Sequence, residues 1–268
     1  MISNYHTHTA RCHHATGKDE EYIKRAIAEG VKILGFSEHA PYIYPDGYVS
    51  FYKMTPNEAG EYFSSLNALR EKYRGKIEIH IGYEAEYYPA LWEKTFEYWR
   101  KSSNPPEYLI LGQHFVKEEY SETGERIVHS ASGTDEQAML AQYVNTVIEG
   151  LNTGAFTYLA HPDVIDFRAD EDFYRQEVEK IIVAAKMLSV PLEINLLGIK
   201  SKRHYPTPLF WEVASAHSPD VIIGSDAHDP ERVADKNEIA AALRFADRYR
   251  LNVIDTLPLV NPFEKKTI

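Results

Sequence analysis

Two pairs of potential metal ligands lie near opposite ends of the sequence, and each pair has the spacing of a β-strand. His6 and His8 stand one residue apart near the amino terminus, and Asp226 and His228 have the same spacing after the apolar run 221–224. Residues i and i+2 of a strand point to one face, so each pair can direct both side chains at one metal ion. The two pairs favour a closed sheet whose first and last strands meet at a metal site.

Strand-like and helix-like segments alternate along most of the chain. Continuous apolar strands between amphipathic helices predict a parallel sheet covered by helices. The predicted strands are 2–8, 31–39, 77–87, 108–115, 157–161, 190–195 and 221–228. The predicted helices are 19–29, 55–75, 88–102, 134–154, 170–189, 208–217 and 230–249, while 252–259 is either a short strand or a tail. A doubly wound open sheet is the competing topology, but a histidine pair replaces its typical glycine-rich first turn.

One domain is predicted over the whole chain, residues 1–268, because there is no internal repeat, low-complexity tract or linker. A chain of this length can form a single α/β barrel. No apolar run approaches the roughly 20 residues that span a bilayer, and the start of the sequence lacks the pattern of a signal peptide. The single cysteine, Cys12, excludes an intramolecular disulfide and fits a reducing compartment, so we expect a cytoplasmic location.

The formal net charge of −11 limits the partners of the chain. An acidic protein repels nucleic acid and anionic membranes unless it carries a basic patch, and the densest basic run, 200–204, is short. We therefore expect neither nucleic acid nor membrane as a partner. A small phosphorylated molecule remains possible if metal ions supply the positive charge. The sequence does not indicate the oligomeric state.

Each predicted strand ends in side chains that can bind a metal ion. The carboxyl ends of the strands of a β/α barrel form one face, where active sites lie. Buried histidines and acids are costly unless they are paired, and metal binding removes that cost. Nitrogen and carboxylate donors suit zinc, manganese or iron, and their number implies two or three ions. The strand-end residues are His6, His8, Glu38, His39, Glu84, Glu86, Gln113, His114, His161, Glu193, Asn195, Asp226 and His228.

These motifs, together with His14 in the segment Arg11-Cys12-His13-His14-Ala15, resemble those of the polymerase and histidinol phosphatase (PHP) family over nearly the full chain. The resemblance implies a distorted seven-stranded β/α barrel with a centre of three metal ions. Within the family, the segment 11–15 is most similar to the enzymes that act on L-histidinol phosphate. The resemblance therefore implies a metal-dependent phosphomonoesterase of histidine biosynthesis.

The resemblance also implies which residues bind each ion, with Glu84 as a bridge between two of them. His13 is the alternative to His14, but the family pattern places the ligand directly before Ala15. Glu86 is expected to support the ligands, and four histidines are expected to be ordinary surface or loop residues: His80, His129, His204 and His217. The implied ligands are, for the first ion, His6, His8, Glu84 and Asp226, for the second, Glu84, His114 and His161, and for the third, His14, His39 and His228.

Clustered divalent ions lower the pKa of a bound water and clamp phosphoryl oxygens, which suits hydrolysis of a phosphate ester. At such a centre the predicted catalytic residues are Asp226, His39 and Glu84. Asp226 and His39 are the nearest titratable groups for the leaving alkoxide. The identity of the general acid stays open at this point.

Substrate contacts are predicted on the loops after strands five and six. Arg168 follows strand five, Asn195 ends strand six, and Lys200 and Arg203 follow it. The family often has Gly-Leu-Arg after this asparagine, whereas this chain has Gly-Ile-Lys at 198–200, so the phosphate-binding cation stays open. The aromatic loop 42–52 is a candidate lid over a substrate imidazole, or else plain packing on the barrel rim. Glu38 and Glu118 are candidate partners of a substrate amine.

Three other functions are compatible with parts of this pattern. A PHP-type phosphoesterase that acts on another monoester or on a diester is one alternative, but a nuclease would need a basic groove. An amidohydrolase would usually carry a strand-end lysine, whereas Glu84 takes the bridging position here. A non-catalytic, regulatory PHP-like module would often lose ligands, and this chain keeps the full set.

Overall fold

The computed structural model describes residues 1–264 as an α/β fold, so residues 265–268 of the predicted domain lie outside the described part. The parallel strands are arranged in two sheets. The first has the order β1-β2-β3-β4, with β1 at Ser3–Asn4, β2 at Ile33–His39, β3 at Glu78–Ala85 and β4 at Leu109–Leu111. The second has the order β5-β6-β7, with β5 at Leu192–Asn195, β6 at Asp220–Gly224 and β7 at Asn252–Val253. The predicted parallel arrangement is confirmed.

Single bridging residues connect the two sheets. Leu159 forms parallel bridges to Leu111 of β4 and to Leu192 of β5. On the opposite side, Thr7 bridges to Ala227, and the His8 amide donates to the Ala227 carbonyl at 2.9 Å. These bridges place the segment after β1 beside the segment after β6. The two pairs of potential metal ligands, His6 with His8 and Asp226 with His228, therefore lie close together, as predicted.

Helices cover the outer faces of the sheets, and the large side chains of Trp99 and Trp211 are fully buried beneath them. Asp170 and Asp235 cap two of the helices by accepting backbone N–H groups, and such caps each contribute about 1 kcal/mol. No helix among residues 1–264 has the length and apolar composition for a membrane crossing. The eight helices of the described chain are α1 Asp19–Ala28, α2 Ala59–Lys72, α3 Trp92–Lys101, α4 Gln137–Asn152, α5 Glu171–Met187, α6 Leu196–Ser201, α7 Pro208–His217 and α8 Lys236–Arg248.

Several elements differ from their predicted bounds. The predicted strand 157–161 is reduced to its bridging residue Leu159, because His161 has a φ of 27° and Pro162 cannot donate a backbone hydrogen bond. Helix α6 occupies a segment that we expected to be a loop, and Asn195 caps it by accepting the Gly198 amide at 2.9 Å. The predicted helix 230–249 begins only at Lys236, after a 3-10 turn. Only the first two residues of 252–259 form a strand.

The strands separate a large outer core from a smaller inner cluster. Val221 and Ile223 of β6 face the outer core under the helices, whereas Ile222 faces inwards. We call the inward group the inner apolar cluster: Tyr5, Tyr108, Ile110, Tyr158, Ala160 and Ile222. On β4 and β6 these residues precede the predicted ligands His114 and Asp226. The inner apolar cluster therefore lies on the amino-terminal side of the candidate site.

Candidate metal centre

Glu84 lies in the middle of a buried group of histidines. Its place near the end of β3 is opposite His39, the last residue of β2, in the parallel register. The Glu84 side chain is 1% exposed. Imidazole nitrogens lie 2.8–3.6 Å from its two oxygens, and they belong to His6, His8, His39, His114 and His161. One carboxylate cannot accept a hydrogen bond from all five rings, so some of these nitrogens are left for other partners.

Asp226 and His228 complete this group from the segment after β6. Asp226 Oδ1 lies 3.2 Å from His8 Nε2 and 3.6 Å from His6 Nε2. The ring of His228 stacks on that of His8 at 4.1 Å, and the ring of His14 lies 4.6 Å from that of His228. We call the nine side chains the histidine cluster: His6, His8, His14, His39, Glu84, His114, His161, Asp226 and His228.

Carboxylate and backbone carbonyl oxygens orient the rings of the histidine cluster. In five rings Nδ1 faces an oxygen acceptor, which leaves Nε2 as the free nitrogen. Such outer contacts usually fix the tautomer and direction of metal-binding histidines. The Nδ1 contacts are His6 to Glu193 Oε1 at 2.7 Å, His8 to Glu38 Oε1 at 3.3 Å, His114 to Glu86 Oε1 at 3.1 Å, His14 to the Cys12 carbonyl at 2.7 Å and His228 to the Asp226 carbonyl at 3.0 Å.

Several buried atoms of the cluster lack a hydrogen-bond partner within residues 1–264. They are Nε2 of His6, His8 and His228, Nδ1 of His39 and His161, and Oε2 of Glu84. Each such atom costs roughly 1–3 kcal/mol if it stays unpaired. Divalent cations are the partners that nitrogen and carboxylate donors of this kind prefer. The residues therefore fit metal ions.

The donor atoms also form groups small enough to hold individual ions. Each group contains three atoms within 4.8 Å of one another, and the groups share members. Because there are several such groups, the cluster as a whole fits more than one ion. The groups found in the described chain are His6-His8-Asp226, His6-Glu84-His161, His39-Glu84-His114, His8-His39-His228 and Cys12-His14-His228.

Burial and neighbouring charges separate the pKa values of the cluster. Burial lowers the pKa of His8, but its contacts with Asp226 and Glu38 outweigh burial and raise that pKa to about 9. Burial and the charge of His8 lower the pKa of His228 to about 3. Burial raises the pKa of Glu84, but the surrounding histidines outweigh it and hold that pKa well below its ordinary value. Without metal, the cluster therefore keeps Glu84 ionised and holds protons on some of its rings.

Two glycines make room for carboxylates at the cluster. A Cβ on Gly112 would lie 1.9 Å from Glu84 Oε1, and a Cβ on Gly224 would lie 1.8 Å from Glu193 Oε1. Any side chain at these positions would displace the carboxylates. Each glycine stands two residues before a cluster member, in Gly-Gln-His and Gly-Ser-Asp. The strands thus provide a cradle for Glu84 and Glu193.

A cavity of about 510 Å³ opens beside the histidine cluster. Its size suits a small metabolite. Five cluster members line it, namely His14, His39, His114, Asp226 and His228. The other lining residues are His13, Phe51, Tyr52, His129, Ala131, Val164, Leu197, Arg203 and Tyr205.

The three predicted cations differ in their relation to this cavity. Arg203 lines it, and its Nη1 donates to the Tyr205 hydroxyl at 2.7 Å. Arg168 is 66% exposed and pairs with Asp166. Lys200 pairs with Glu238 Oε1 at 3.1 Å. Arg168 and Lys200 do not line the cavity. Of the three predicted cations, only Arg203 therefore reaches it.

Asn195, the fourth predicted substrate contact, lies behind the cluster. It is 1% exposed and does not line the cavity. Its amide donates to Glu193 Oε2 at 2.9 Å and to Asp226 Oδ2 at 3.1 Å. Asn195 therefore orients two carboxylates of the site rather than contacting the cavity.

The aromatic loop contributes less to the cavity than predicted. Phe51 and Tyr52 line the cavity, whereas the hydroxyl groups of Tyr42, Tyr44 and Tyr48 point to the Glu86 carbonyl and the Glu119 carboxylate. These tyrosines fasten the loop to its neighbours.

The two candidates for a substrate amine also lie elsewhere. Glu38 is fully buried, where it accepts the Thr9 amide at 2.8 Å and faces His8. Glu118 accepts the Ala90 amide at 2.8 Å and lines a separate surface cleft. Both carboxylates are thus occupied by other contacts.

The paired histidines at 13 and 14 face different neighbours. His14 lies against His39 and His228, as a ligand there requires. His13 lines the cavity mouth with a side chain 41% exposed, and its Nε2 lies 3.7 Å from Glu58.

Sequence reasoning missed several residues of the site. His129 lines the cavity although we expected an ordinary loop residue. Glu193 was recognised as a strand-end residue but was given no role, and in the structure its Oε1 lies 2.7 Å from Nδ1 of His6. Lys53 and Glu119 are buried in loops without periodicity, where the sequence offers no comparable indication.

A family model described as PHP domain matches residues 4–196, most of the chain. This chain belongs to the PHP domain family. A probable histidinol-phosphatase of Deinococcus radiodurans is 25% identical over 92% of this chain and 90% of its own length. A histidinol-phosphatase of Bacillus subtilis is 27% identical over 54% of this chain and 58% of its own length.

A solved structure has a similar fold. It is a histidinol phosphate phosphatase from Lactococcus lactis, in complex with zinc, L-histidinol and phosphate. The TM-score is 0.71 with 19% identity, over 96% of both chains. At this identity the likeness establishes the α/β fold of the chain.

Proposed function

We propose that this PHP-domain chain is a metal-dependent phosphatase that hydrolyses L-histidinol phosphate to L-histidinol and phosphate. The observation that carries the proposal is the ring of five imidazoles around the buried Glu84, beside a cavity of metabolite size. The names of the two relatives support the substrate. The zinc, L-histidinol and phosphate in the Lactococcus lactis structure support the same chemistry.

Two or three divalent ions, zinc, manganese or iron, are the proposed cofactors. The donor groups of the cluster support more than one ion, since His6-His8-Asp226 and His39-Glu84-His114 share no residue and the donor atoms within each group lie within 4.8 Å of one another. When bound, such ions lower the pKa of water and neutralise phosphoryl oxygens. The proposed ligands are His6, His8, Glu84 and Asp226 for the first ion, Glu84, His114 and His161 for the second, and His14, His39 and His228 for the third.

The side chains of the chain itself bind and orient the substrate. Arg203 at the cavity wall offers a planar, fork-shaped set of donors for phosphoryl oxygens. Phe51 and Tyr52 provide aromatic surface for the imidazole and exclude water from it. Asp226 and His39 line the cavity as well, and as ligands they would hold the ions that stabilise the leaving alkoxide.

The proposal also includes the barrel architecture, the class of substrate and the cellular location. A distorted seven-stranded barrel in one domain is supported by the bridges of Leu159 and Thr7, which link the two sheets on both sides. A small phosphorylated metabolite, rather than nucleic acid, is supported by the net charge of −11. A cytoplasmic location is supported by the single, unpaired cysteine, Cys12.

The test compares kcat/KM for L-histidinol phosphate with that for p-nitrophenyl phosphate and for a phosphodiester, on the zinc-, manganese- and iron-loaded chain. A cavity that forms polar contacts with imidazole and amine rejects analogues without them by several powers of ten. We expect that preference for L-histidinol phosphate. Equal rates on p-nitrophenyl phosphate, or faster turnover of the diester, would reject this substrate in favour of a general phosphoesterase.

A further inference from the structure

Lys53 is the one buried lysine among residues 1–264, and it lies outside the proposed ligand set. Its side chain is 1% exposed, and its Nζ lies 2.5 Å from Glu86 Oε1 and 3.6 Å from Glu119 Oε2. The Tyr52 ring centroid lies 4.1 Å from Nζ. Burying an ammonium group is costly unless it is paired. The two carboxylates supply that pairing.

Glu86 connects Lys53 to the histidine cluster. Glu86 is also 1% exposed, and its Oε1 accepts the Tyr52 hydroxyl at 2.9 Å. The same oxygen lies 3.1 Å from Nδ1 of His114, whose Nε2 lies 3.6 Å from Glu84 Oε1. The contacts thus run without a gap from Lys53 through Glu86 and His114 to the centre of the cluster.

The contacts of Glu86 are concentrated on one of its oxygens. Lys53, Tyr52 and His114 all approach Oε1, whereas Oε2 has no hydrogen-bond partner among the described residues. Without the ammonium group, the carboxylate loses its strongest partner and can turn about its own bonds. The ring of His114 then loses the acceptor that fixes its direction.

Glu119 connects Lys53 to a different part of the molecule. The hydroxyl groups of Tyr44 and Tyr48 donate to Glu119, the second at 3.2 Å. These bonds tie the aromatic loop to the segment after β4. Lys53 therefore contacts one carboxylate that leads to the metal centre and one that fastens loops, and the two contacts can be cut separately.

We propose that Lys53 is a positioning residue of the metal centre, which holds Glu86 as the acceptor of His114 and so sets the affinity for the ion that His114 binds. This inference rests on the proposed metal-dependent function. Loss of such an outer contact typically weakens metal binding 10- to 100-fold. Lys53 touches neither the cavity nor the reacting atoms, so it acts through His114.

The test measures zinc binding by the full chain in competition with a chromophoric chelator. We expect Lys53→Met and Glu86→Gln each to weaken one zinc site 10- to 100-fold and to leave the other sites unchanged. The double variant should bind zinc no more weakly than the single variant with the lower zinc affinity, because both changes break the same chain of contacts. Glu119→Gln, which cuts the loop contact, and Lys94→Met, which removes an exposed lysine, should stay within threefold of the wild type.

Substitution of Co²⁺ for zinc gives a second measurement, the visible absorption of the bound ion, which does not depend on fold stability alone. The visible absorption of one Co²⁺ site should change in Lys53→Met and Glu86→Gln but not in Glu119→Gln. If Lys53→Met does not fold, the isosteric Glu86→Gln variant decides by the same criteria.

Wild-type zinc affinity in a folded Lys53→Met variant would overturn this inference alone. An equal loss of affinity in Glu119→Gln would also overturn it, because loop fastening would then explain the effect. A wild-type chain that binds no zinc, manganese or iron would overturn the proposed function together with this inference.

Discussion

The inner apolar cluster and the histidine cluster are built on the same strands, yet they differ in how their polar atoms are satisfied. In the inner apolar cluster the Tyr108 hydroxyl donates to the Tyr5 carbonyl at 2.8 Å, and the hydroxyl of Tyr158 is the one side-chain atom there without a partner. In the histidine cluster six side chains carry unpartnered buried atoms. The protein thus pairs nearly all polar side-chain atoms of the inner apolar cluster by itself, whereas those of the histidine cluster are left for bound metal ions.

Glycine serves both regions in different ways. A Cβ on Gly35 would lie 2.3 Å from the Tyr108 hydroxyl, so this glycine permits packing in the inner apolar cluster. Gly112 instead makes room for the Glu84 carboxylate. Substitutions in the two regions should therefore have separable effects, on stability in one case and on metal binding in the other.

The largest effect is expected for Glu84→Gln. One carboxylate faces five imidazoles, and its charge is the main attraction for more than one cation. We expect loss of at least one metal ion per chain and a decrease in kcat of at least about 10³-fold, measured by elemental analysis and steady-state assay. Glu107→Gln, at the amino end of β4 beside Arg70, is the matched control and should keep both. Near-normal metal content in Glu84→Gln would disprove the bridging role.

The glycine comparison predicts the next largest effect. Gly112→Ala should weaken metal binding roughly 10- to 100-fold, because the new methyl group displaces Glu84. Gly35→Ala should lower thermal stability by about 1–3 kcal/mol through overpacking and leave metal content unchanged. Chelator competition and thermal unfolding of both variants measure the two effects. If both variants changed the same quantity, the two clusters would not act independently.

The stability of the protein should depend on pH in opposite ways with and without metal. The pKa of His8 is raised to about 9 in the folded chain, above its unfolded value of 6.5. Its contribution in metal-free protein is therefore complete below pH 6.5 and lost as pH rises through 9. Metal ions bind deprotonated rings, so zinc-loaded protein should gain stability over the same window. Thermal unfolding between pH 6.5 and 9, with EDTA or with zinc, measures both slopes, and parallel slopes would contradict the account.

The smallest effect is expected for Tyr108→Phe. Loss of the buried hydrogen bond to the Tyr5 carbonyl should cost about 1–2 kcal/mol, or roughly 2–8 °C in Tm. Metal content and kcat should be unchanged, because this hydroxyl belongs to the inner apolar cluster. A loss of metal in Tyr108→Phe would show that the two regions are coupled.

Much of the fold could be predicted because its strands are apolar runs that alternate with amphipathic segments. The reduction of the predicted strand 157–161 to single bridges at Leu159 could not be predicted, since it depends on the positive φ of His161 and on the neighbours that tertiary structure supplies. Helix α6 was missed because the basic run 200–204 and the following Pro206 suggested a loop. Asn195 directly before it was an N-cap that the composition obscured.

The cluster members were predictable because most of them follow an apolar run at a strand end. The cations were not, because loop position does not determine where a long side chain points. Arg168 pairs with Asp166 two residues away, and Lys200 pairs with Glu238 far along the chain. Lys53 lies in an irregular loop, and its burial depends on partners from two other segments.

The number of metal ions bound per chain is the decisive measurement for the histidine cluster. Purified chain is loaded separately with zinc, manganese and iron, freed of excess metal by gel filtration and analysed for metal and protein. We expect two or three ions per chain with the preferred metal, because the donor atoms of the histidine cluster fall into several overlapping groups. At most one ion per chain with every metal would contradict this expectation.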